Sequence, residues 1–255
     1  FFSYLRTNNT DLTFAFQKDQ LGTGDAVREG VKDLDLSEVE NVLVVFGDTP
    51  LLSSKTLRDL LNFNDQSDIT VLGFETSDPG RYGRLLVSNG KLLKIVEALD
   101  ANEEEKKITL CNGGIMIIKA NKLKENLSLI KNNNVKKEYI LSDLIEINND
   151  DGGQSSFLEC DYEETIGVDS KKGLSKAEKI YQNRLRDSFM ESGTTILDPE
   201  TVFFSHDTKI GKDVEIEANI VFGENVTIKD NVVIKSFCSI DNSIINNGSS
   251  IGPFA

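Results

Sequence analysis

A six-residue repeat near the end of the chain limits the possible folds more than any other feature. Two series of mostly large apolar residues recur every six positions: Ile210, Ile216, Phe222, Ile228, Ile234 and Ile240, and Val214, Ile220, Val226, Val232, Cys238 and Ile244. Neither the helical period of 3.6 nor the strand period of two produces this spacing, whereas a β-helix of hexapeptides does. We therefore predict a left-handed parallel β-helix over residues 194–255, with these side chains pointing inward. A set of ordinary short strands is the alternative.

The ends of the chain suggest that it is a piece of a longer protein. The repeat makes about two coils, and units of this kind need neighbours to bury their faces. The chain also opens at Phe1 without an initiator methionine, and its first residues resemble the middle of a domain. We expect the intact protein to extend beyond both ends.

The part that precedes the repeat alternates short apolar runs with amphipathic stretches, which is typical of an α/β domain with a mainly parallel sheet. Residues 41–46 form a continuous β-branched and aromatic run, as in a strand buried on both faces. Asn89-Gly90 separates two short apolar runs and predicts a hairpin. Further elements are expected as a strand at 12–16 and helices at 26–34, 51–63 (capped by Ser53 or Ser54) and 121–130. Together they predict a partial Rossmann-like domain over residues 1–172.

A single amphipathic helix is expected between these two parts, at residues 173–193. Its apolar stripe recurs at three- and four-residue steps, and it consists of Leu174, Ala177, Tyr181, Leu185 and Phe189. Ser192-Gly193 ends the pattern. A solitary helix in this place is interpreted as a connector.

Composition excludes several classes of partner. The net charge is −14, which disfavours binding to a nucleic-acid polymer. No apolar run approaches the roughly 18 to 20 residues that span a bilayer. The three cysteines lie far apart without a CxxC pair, which indicates a reducing, cytoplasmic location and argues against zinc. The one histidine, His206, has no neighbours that suggest a catalytic triad.

Two aspartates are candidate metal ligands. Asp48, with Gly47 before it, follows an apolar strand, and ligands of open α/β sheets bind at that edge. Asp169 follows a second short apolar run. Carboxylates here could hold Mg²⁺, which prefers oxygen ligands and binds together with phosphates. A turn or helix-cap role is the alternative, and the sequence does not show that the two aspartates meet.

Polar residues at predicted turns and strand ends are candidate substrate contacts. Gln17 lies just ahead of a glycine-containing turn at Gly22 and Thr23, where the backbone can approach a ligand closely and an amide can read the edge of a base. Three further residues suit polar contacts to a sugar, namely Gly83, Glu97 and Asn112. A simple turn or an ordinary surface position is the alternative for each.

The order and spacing of these segments resemble a bacterial family, the bifunctional N-acetylglucosamine-1-phosphate uridyltransferase / glucosamine-1-phosphate N-acetyltransferases. The resemblance runs from about Phe14 to Ala255. It is carried by Gln17-Lys18-Asp19-Gln20-Leu21-Gly22-Thr23-Gly24, Phe46-Gly47-Asp48-Thr49-Pro50-Leu51, Tyr82-Gly83-Arg84, Ile95-Val96-Glu97, Asn112-Gly113-Gly114-Ile115, Glu138-Tyr139-Ile140-Leu141-Ser142-Asp143 and Gly167-Val168-Asp169, followed by the connector and the hexapeptides.

The resemblance implies a role for each candidate residue. Gln17, Gly22 and Thr23 would contact the uracil part of the nucleotide. Gly83, Glu97 and Asn112 would contact the N-acetylglucosamine part. Asp48, beside Gly47, and Asp169 would hold Mg²⁺. The implied reaction joins UTP and N-acetylglucosamine-1-phosphate into UDP-N-acetylglucosamine and pyrophosphate, in cell-wall precursor synthesis, and the implied assembly of the intact protein is a homotrimer.

The chain departs from the family pattern at several points. The glycine-rich phosphate loop that opens the family and a lysine shortly after it are absent, so this piece alone could be inactive. The acetyltransferase half uses later coils, and we assign no such activity here. At four positions the family commonly has His, Tyr, Thr and Asn where this chain has, in order, Asp25, Phe46, Gly113 and Asp169.

Other interpretations stay open at this point. A different sugar-1-phosphate nucleotidyltransferase, of the ADP-glucose or GDP-mannose type, could also end in a β-helix. A non-catalytic β-helix trimerisation module with a degenerate transferase domain is the alternative outside the enzymes. A plain α/β domain of unrelated function is the least specific one.

Overall fold

The computed structural model describes residues 12–63 and 67–255. They fall into two compact units, one ending at Gly167 and the other running from Val168 to Ala255. The domain boundary expected from the sequence, at residue 172, lies a few residues further along the chain and stays a prediction.

The first unit is built on a mixed sheet of six strands. Its strands are β1 (Asn41–Val44), β2 (Ile69–Glu75), β3 (Arg84–Ser88), β4 (Lys91–Val96), β5 (Leu110–Lys119) and β6 (Ser155–Glu159). The order along the sheet is β4-β3-β5-β2-β6, and β1 also pairs with β5.

The expectation of a mainly parallel sheet is wrong. Among the described strand pairs of this six-stranded sheet, only β2 and β6 are parallel. β1 and β2 both run antiparallel to β5, so β1, β2 and β6 share one direction and β5 reverses it. Apolar runs report burial, and burial is the same for either direction, so the sequence pattern could not reveal the reversed strand.

Helices cover both faces of this sheet, which confirms the α/β class. They are α1 (Thr23–Val31), α2 (Ser54–Phe63), α3 (Ala120–Asn126) and α4 (Leu144–Asp150). Because side chains alternate along a strand, Met116 packs with Leu144 of α4 on one face, whereas Ile117 packs with Leu60 of α2 on the other. Burying each such side chain stabilises the fold by about 1.5–3 kcal/mol.

Of three local predictions for this unit, the hairpin and the helix cap are confirmed and one strand is wrong. The hairpin is confirmed, and Asn89 and Gly90 have φ of 51° and 76°, as a type I′ turn requires. Ser53 is confirmed as a cap, since its hydroxyl accepts the Thr56 N–H at 3.0 Å. The strand expected at residues 12–16 is wrong, because those residues form no ladder.

The second unit begins with helix α5 (Lys171–Glu191). Ser170 caps it by accepting the Gly173 N–H at 3.1 Å. Leu185 and Phe189 pack against the β-helix core as the stripe predicted. Leu174 does not, because it is 56% exposed. Within the described ranges, no helix has the length and apolar character that a bilayer crossing demands.

The β-helix that the repeat predicts is confirmed. Ten short strands follow α5, and they are β7 (Thr195–Ile196), β8 (Val202–Phe203), β9 (Lys209–Ile210), β10 (Glu215–Ile216), β11 (Ile220–Phe222), β12 (Thr227–Ile228), β13 (Val233–Ile234), β14 (Ser239–Ile240), β15 (Ile244–Ile245) and β16 (Ser250–Ile251). They form three parallel sheets, β16-β13-β10-β7, β14-β11-β8 and β15-β12-β9. Both repeat series lie in one core, with the exception of Ile244.

The exception at Ile244 comes from a shortened coil. Ile216 pairs with Ile234, eighteen positions on, whereas Ile228 pairs with Ile245, seventeen positions on. Ile245 is therefore the inward residue at 5% exposure, and Ile244 is 69% exposed. The missing residue lies at the corner between Ile240 and Ile244, because Phe222 and Ile240 still pair eighteen positions apart.

Candidate functional site

The three candidate sugar contacts lie together at one end of β3. Arg84 pairs with Val96 of β4 and with Cys111 of β5, so the residues beside these pairs are neighbours. Those residues are Gly83, Glu97 and Asn112. The Asn112 N–H donates to the Gly83 carbonyl at 2.8 Å. A Cβ at Gly83 would lie 3.5 Å from Glu97 Oε1 and 3.5 Å from Asn112 Cβ. A side chain at position 83 would fill the space between the other two residues.

Glu97 and Asn112 are both held by further hydrogen bonds. The Ser142 hydroxyl donates to Glu97 Oε1 at 3.1 Å. Asn112 Oδ1 accepts the Gly114 N–H at 2.9 Å, which leaves its Nδ2 without a partner among residues 12–63 and 67–255. Gly114 has φ of +79°, and the ring of Phe46 packs where a Cβ would be. The site is thus rigid and still offers a carboxylate oxygen and an amide donor to a ligand.

A cleft of about 750 Å³ opens beside Glu97. Carboxylates dominate its walls, and they belong to Glu97, Asp100, Asp143, Glu146, Asp150 and Asp151. Burial raises the pKa of Asp143 to about 6, and the charges of Glu97, Glu146 and Asp100 add to the rise. Sequence reasoning did not select Asp143 or Ser142, although both belong to a segment that carries the family resemblance.

The candidate nucleotide contacts are also brought together. The Gln17 side-chain amide donates to the Gly22 carbonyl at 3.1 Å. Gly22 has φ of +114°, and a Cβ there would lie 2.5 Å from the Tyr139 carbonyl oxygen, so only glycine fits. Thr23 Oγ1 accepts the Leu141 N–H at 3.0 Å. Their role in base recognition stays a prediction.

The negative charge of Asp25, which the family resemblance places near the nucleotide, is paired with neighbouring groups of the protein. Its carboxylate accepts the Gln17 amide at 2.8 Å and pairs with the Arg28 guanidinium at 3.4 Å. The Arg28 guanidinium also lies over the Tyr139 ring, 4.9 Å from the centroid. A neighbouring cation and hydrogen bonds therefore offset the charge that Asp25 adds.

A second departure from the family, Gly113, is explained by its surroundings. A Cβ at Gly113 would lie 2.9 Å from both the Leu72 carbonyl oxygen and Thr165 Cγ2. Threonine at this position would require the neighbouring backbone to move.

The two candidate metal ligands lie in different units. Asp48 is exposed in the turn after β1, where Thr49 Oγ1 donates to the Phe46 carbonyl at 2.8 Å. Asp48 Oδ2 lies 3.7 Å from the position of a Cβ at Gly167. Asp169 is also exposed and belongs to the second unit, so the joint site stays a prediction.

The exposure of the two candidate carboxylates, Asp48 and Asp169, is compatible with Mg²⁺ binding. Mg²⁺ binds through one or two carboxylates and fills its other positions with water and phosphate oxygens. Asp48 and Asp169 are exposed carboxylates, which leaves room for such partners. No group of three or more His, Cys, Asp or Glu side chains in the described part of the chain could hold a metal unaided.

Comparison with known proteins identifies relatives along nearly the whole chain. Residues 207–242 match the family of bacterial transferase hexapeptides (six repeats). The chain is 40% identical over 252 residues to the "Bifunctional protein GlmU" of Sinorhizobium fredii, covering 98% of this chain and 55% of the relative. It is 42% identical over 241 residues to the protein of that name from Paramagnetospirillum magneticum, covering 93% and 54%. The chain spans about half the length of these relatives.

Solved structures share the fold of about two thirds of this chain at low sequence identity. A UDP-glucose pyrophosphorylase complexed with UDP-glucose matches with a TM-score of 0.50 and 19% identity, over 68% of this chain and 66% of that one. A CMP:2-keto-3-deoxy-manno-octonic acid synthetase complexed with CTP matches with a TM-score of 0.53 and 17% identity, over 71% and 76%. These matches confirm the Rossmann-like fold.

Proposed function

Because this chain belongs to the family of the bifunctional GlmU proteins over the part of their length that it spans, we propose that its first unit binds UDP-N-acetylglucosamine. In the whole protein this unit would transfer a uridylyl group from UTP to N-acetylglucosamine-1-phosphate, in cell-wall precursor synthesis. The observation that carries the proposal is the cluster formed by Gly83, Glu97 and Asn112.

The chemistry of this cluster suits an N-acetylated sugar. The free oxygen of the Glu97 carboxylate can accept a hydrogen bond from a sugar hydroxyl, and Asn112 Nδ2 can donate to a hydroxyl or an acetyl oxygen. Gly83 keeps the space between them open, since any side chain would lie within 3.5 Å of both. Two directed polar contacts around a glycine would fix the orientation of the ring.

The nucleotide would lie near α1 and the segment at residues 139–141. Gly22 is the N-cap residue of α1, so its neighbourhood combines helix N–H groups with a glycine turn, which favours phosphate and base contacts. Mg²⁺ held by Asp48 and Asp169 would neutralise phosphate charge.

The transfer needs no general base from this chain. A phosphate oxygen of the sugar phosphate is ionised at neutral pH and attacks the α-phosphorus of UTP, and the bond to the β-phosphate oxygen breaks to release pyrophosphate. Alignment and charge neutralisation then dominate catalysis. The one histidine, His206, is exposed in the β-helix, and the proposal gives it no catalytic role.

Calorimetric titration of UDP-N-acetylglucosamine into this chain with Mg²⁺ tests the proposal. ADP-glucose and GDP-mannose serve as competitors for the alternative substrate classes, and Asp48→Ala serves as the metal-site variant. We expect binding of the uridine compound alone, weakened in the variant. Preferential binding of another nucleotide sugar would redirect the assignment, and no binding by a folded sample would favour a degenerate domain or a site that requires the upstream loop.

We further propose that the whole protein is a homotrimer and is cytoplasmic. The β-helix exposes apolar side chains on its second sheet, with Phe203 at 44% and Val221 at 49%, and flat apolar faces of this kind favour association. All three cysteines are free, as in proteins of a reducing compartment. Light scattering of the whole protein at micromolar concentration should give the mass of three chains, and the mass of one would refute the trimer.

A further inference from the structure

Arg84 is a buried cation that the proposed function does not use. Its side chain is only 3% exposed. No carboxylate lies within 4 Å of its guanidinium in the described ranges of the chain. Its two terminal nitrogens donate instead to three backbone carbonyls, those of Pro79 at 3.4 Å, Gly80 at 3.2 Å and Tyr82. Its Nε is buried and has no hydrogen-bond partner within the described ranges. A buried charge persists only where hydrogen bonds replace its lost hydration, so these carbonyls are its solvent substitute.

All three acceptors belong to one loop. Residues 79–82 form a tight turn in which the Tyr82 N–H donates to the Pro79 carbonyl at 3.0 Å. Gly80, with φ of +42°, supplies the left-handed residue of the turn. Nη1 donates to the Pro79 and Tyr82 carbonyls and Nη2 to the Gly80 carbonyl, and the planar fork of arginine holds these donors in a fixed geometry that a rotatable lysine ammonium lacks. The guanidinium therefore fixes the path of the loop.

The loop that Arg84 holds leads directly into the sugar cluster. It ends at Gly83, whose carbonyl accepts the Asn112 N–H and whose Cα faces Glu97 and Asn112. The backbone of Arg84 itself pairs with strands on both sides, so its side chain ties the loop to the sheet. We infer that Arg84 is a positioning residue that sets Gly83 against the sugar of the bound nucleotide sugar. This inference rests on the proposed function.

Comparing a ligand that contains the sugar with one that lacks it tests the inference. UDP-N-acetylglucosamine would contact the sugar cluster of Gly83, Glu97 and Asn112, whereas UDP has no sugar to place there. Calorimetry with both ligands would be run on the wild-type chain, on Arg84→Lys, which keeps the charge but loses the fork, and on Arg81→Lys. Arg81 is an exposed arginine of the same loop, so it is the matched control. Arg84→Gln is added in case a lone buried ammonium prevents folding.

Arg84→Lys or Arg84→Gln should weaken UDP-N-acetylglucosamine binding by about tenfold, a change of ~1.4 kcal/mol. UDP affinity should stay within about twofold, because a factor of two is below ~0.5 kcal/mol. Equal weakening of both ligands in folded variants would overturn the positioning role and leave the proposed function intact, as would an equal effect of Arg81→Lys. Failure of the wild-type chain to bind the nucleotide sugar, while UDP still binds, would remove the proposed sugar site and this inference with it.

Discussion

Replacing Asp143 with asparagine should stabilise this protein at neutral pH and leave its stability in acid unchanged. The pKa of Asp143 is raised from 3.8 to about 6, first by burial and then by Glu97, Glu146 and Asp100. The folded state therefore favours the protonated carboxyl. The stability that this gives is fully present below pH 4 and is lost as the pH rises through 6, where the folded protein must carry the charge.

The magnitude follows from the size of the shift. A rise of about two pKa units at 1.36 kcal/mol each is ~3 kcal/mol. Asp143 is only half-buried, so solvent screening reduces the figure, and we expect about 1–1.5 kcal/mol. Asparagine has nearly the same shape and no charge, and Asp143→Asn should be more stable than wild type by this amount at pH 7.5 and equal to it near pH 3.5.

Urea unfolding, followed by circular dichroism at several values between pH 3.5 and pH 7.5, measures this difference. Asp150→Asn is the matched control, because Asp150 lines the same cleft but is exposed. A surface change of that kind should stay within about 0.5 kcal/mol. A stability gain that is the same at both ends of the pH range, or a loss at pH 7.5, would refute the electrostatic reasoning.

Five further substitutions test the backbone and the β-helix, each by chemical unfolding. Gly22→Ala should cost about 1–3 kcal/mol because of its φ of +114°, whereas Gly30→Ala in α1 should stabilise by about 0.5–1 kcal/mol; equal effects would contradict the strained turn. Ile245→Ala should cost about 2–5 kcal/mol and Ile244→Ala less than about 0.5 kcal/mol; the reverse order would show that the coil has eighteen residues here too. Gln182→Ala should cost about 1–3 kcal/mol, because the Gln182 amide donates to the Phe204 carbonyl and accepts the Phe204 N–H in the first coil. An unchanged unfolding midpoint would show that water replaces these two hydrogen bonds.

The β-helix was the most predictable part of the fold, and its one error is instructive. Each hexapeptide places a large residue inward, so the phase of the repeat is visible in the sequence. Two adjacent isoleucines, Ile244 and Ile245, hide the single-residue shortening because either could continue the series. The pairing of Ile228 with Ile245 and the burial of Ile245 show which one is inside.

The sheet of the first unit was predictable in content and not in direction. The apolar run at 41–46 marked β1, although the strand ends at Val44 and its residues are half-buried. Its partner β5 reverses the sheet, and no local pattern encodes a strand's direction. Direction depends on how the connections cross the sheet, which is a property of the whole unit.

The candidate site also has residues that the sequence pattern could indicate and residues that only the tertiary structure reveals. Gly83, Glu97 and Asn112 were selectable because each stands at a strand end or loop. Arg84 and Asp143 were not, because their significance depends on burial and on partners distant in sequence. Arg84 shows its role only when three loop carbonyls surround it. The pKa of Asp143 depends first on its burial and then on neighbouring carboxylates, of which Glu97 and Asp100 are distant in sequence.

A crystal structure of this chain with UDP-N-acetylglucosamine and Mg²⁺ tests the central claim most directly. We expect the sugar ring over Gly83, with its polar groups within hydrogen-bond distance of Glu97 and Asn112. The uracil should lie near Gln17 and Gly22. A ligand bound with its sugar elsewhere, and with Glu97 and Asn112 facing solvent, would contradict the account.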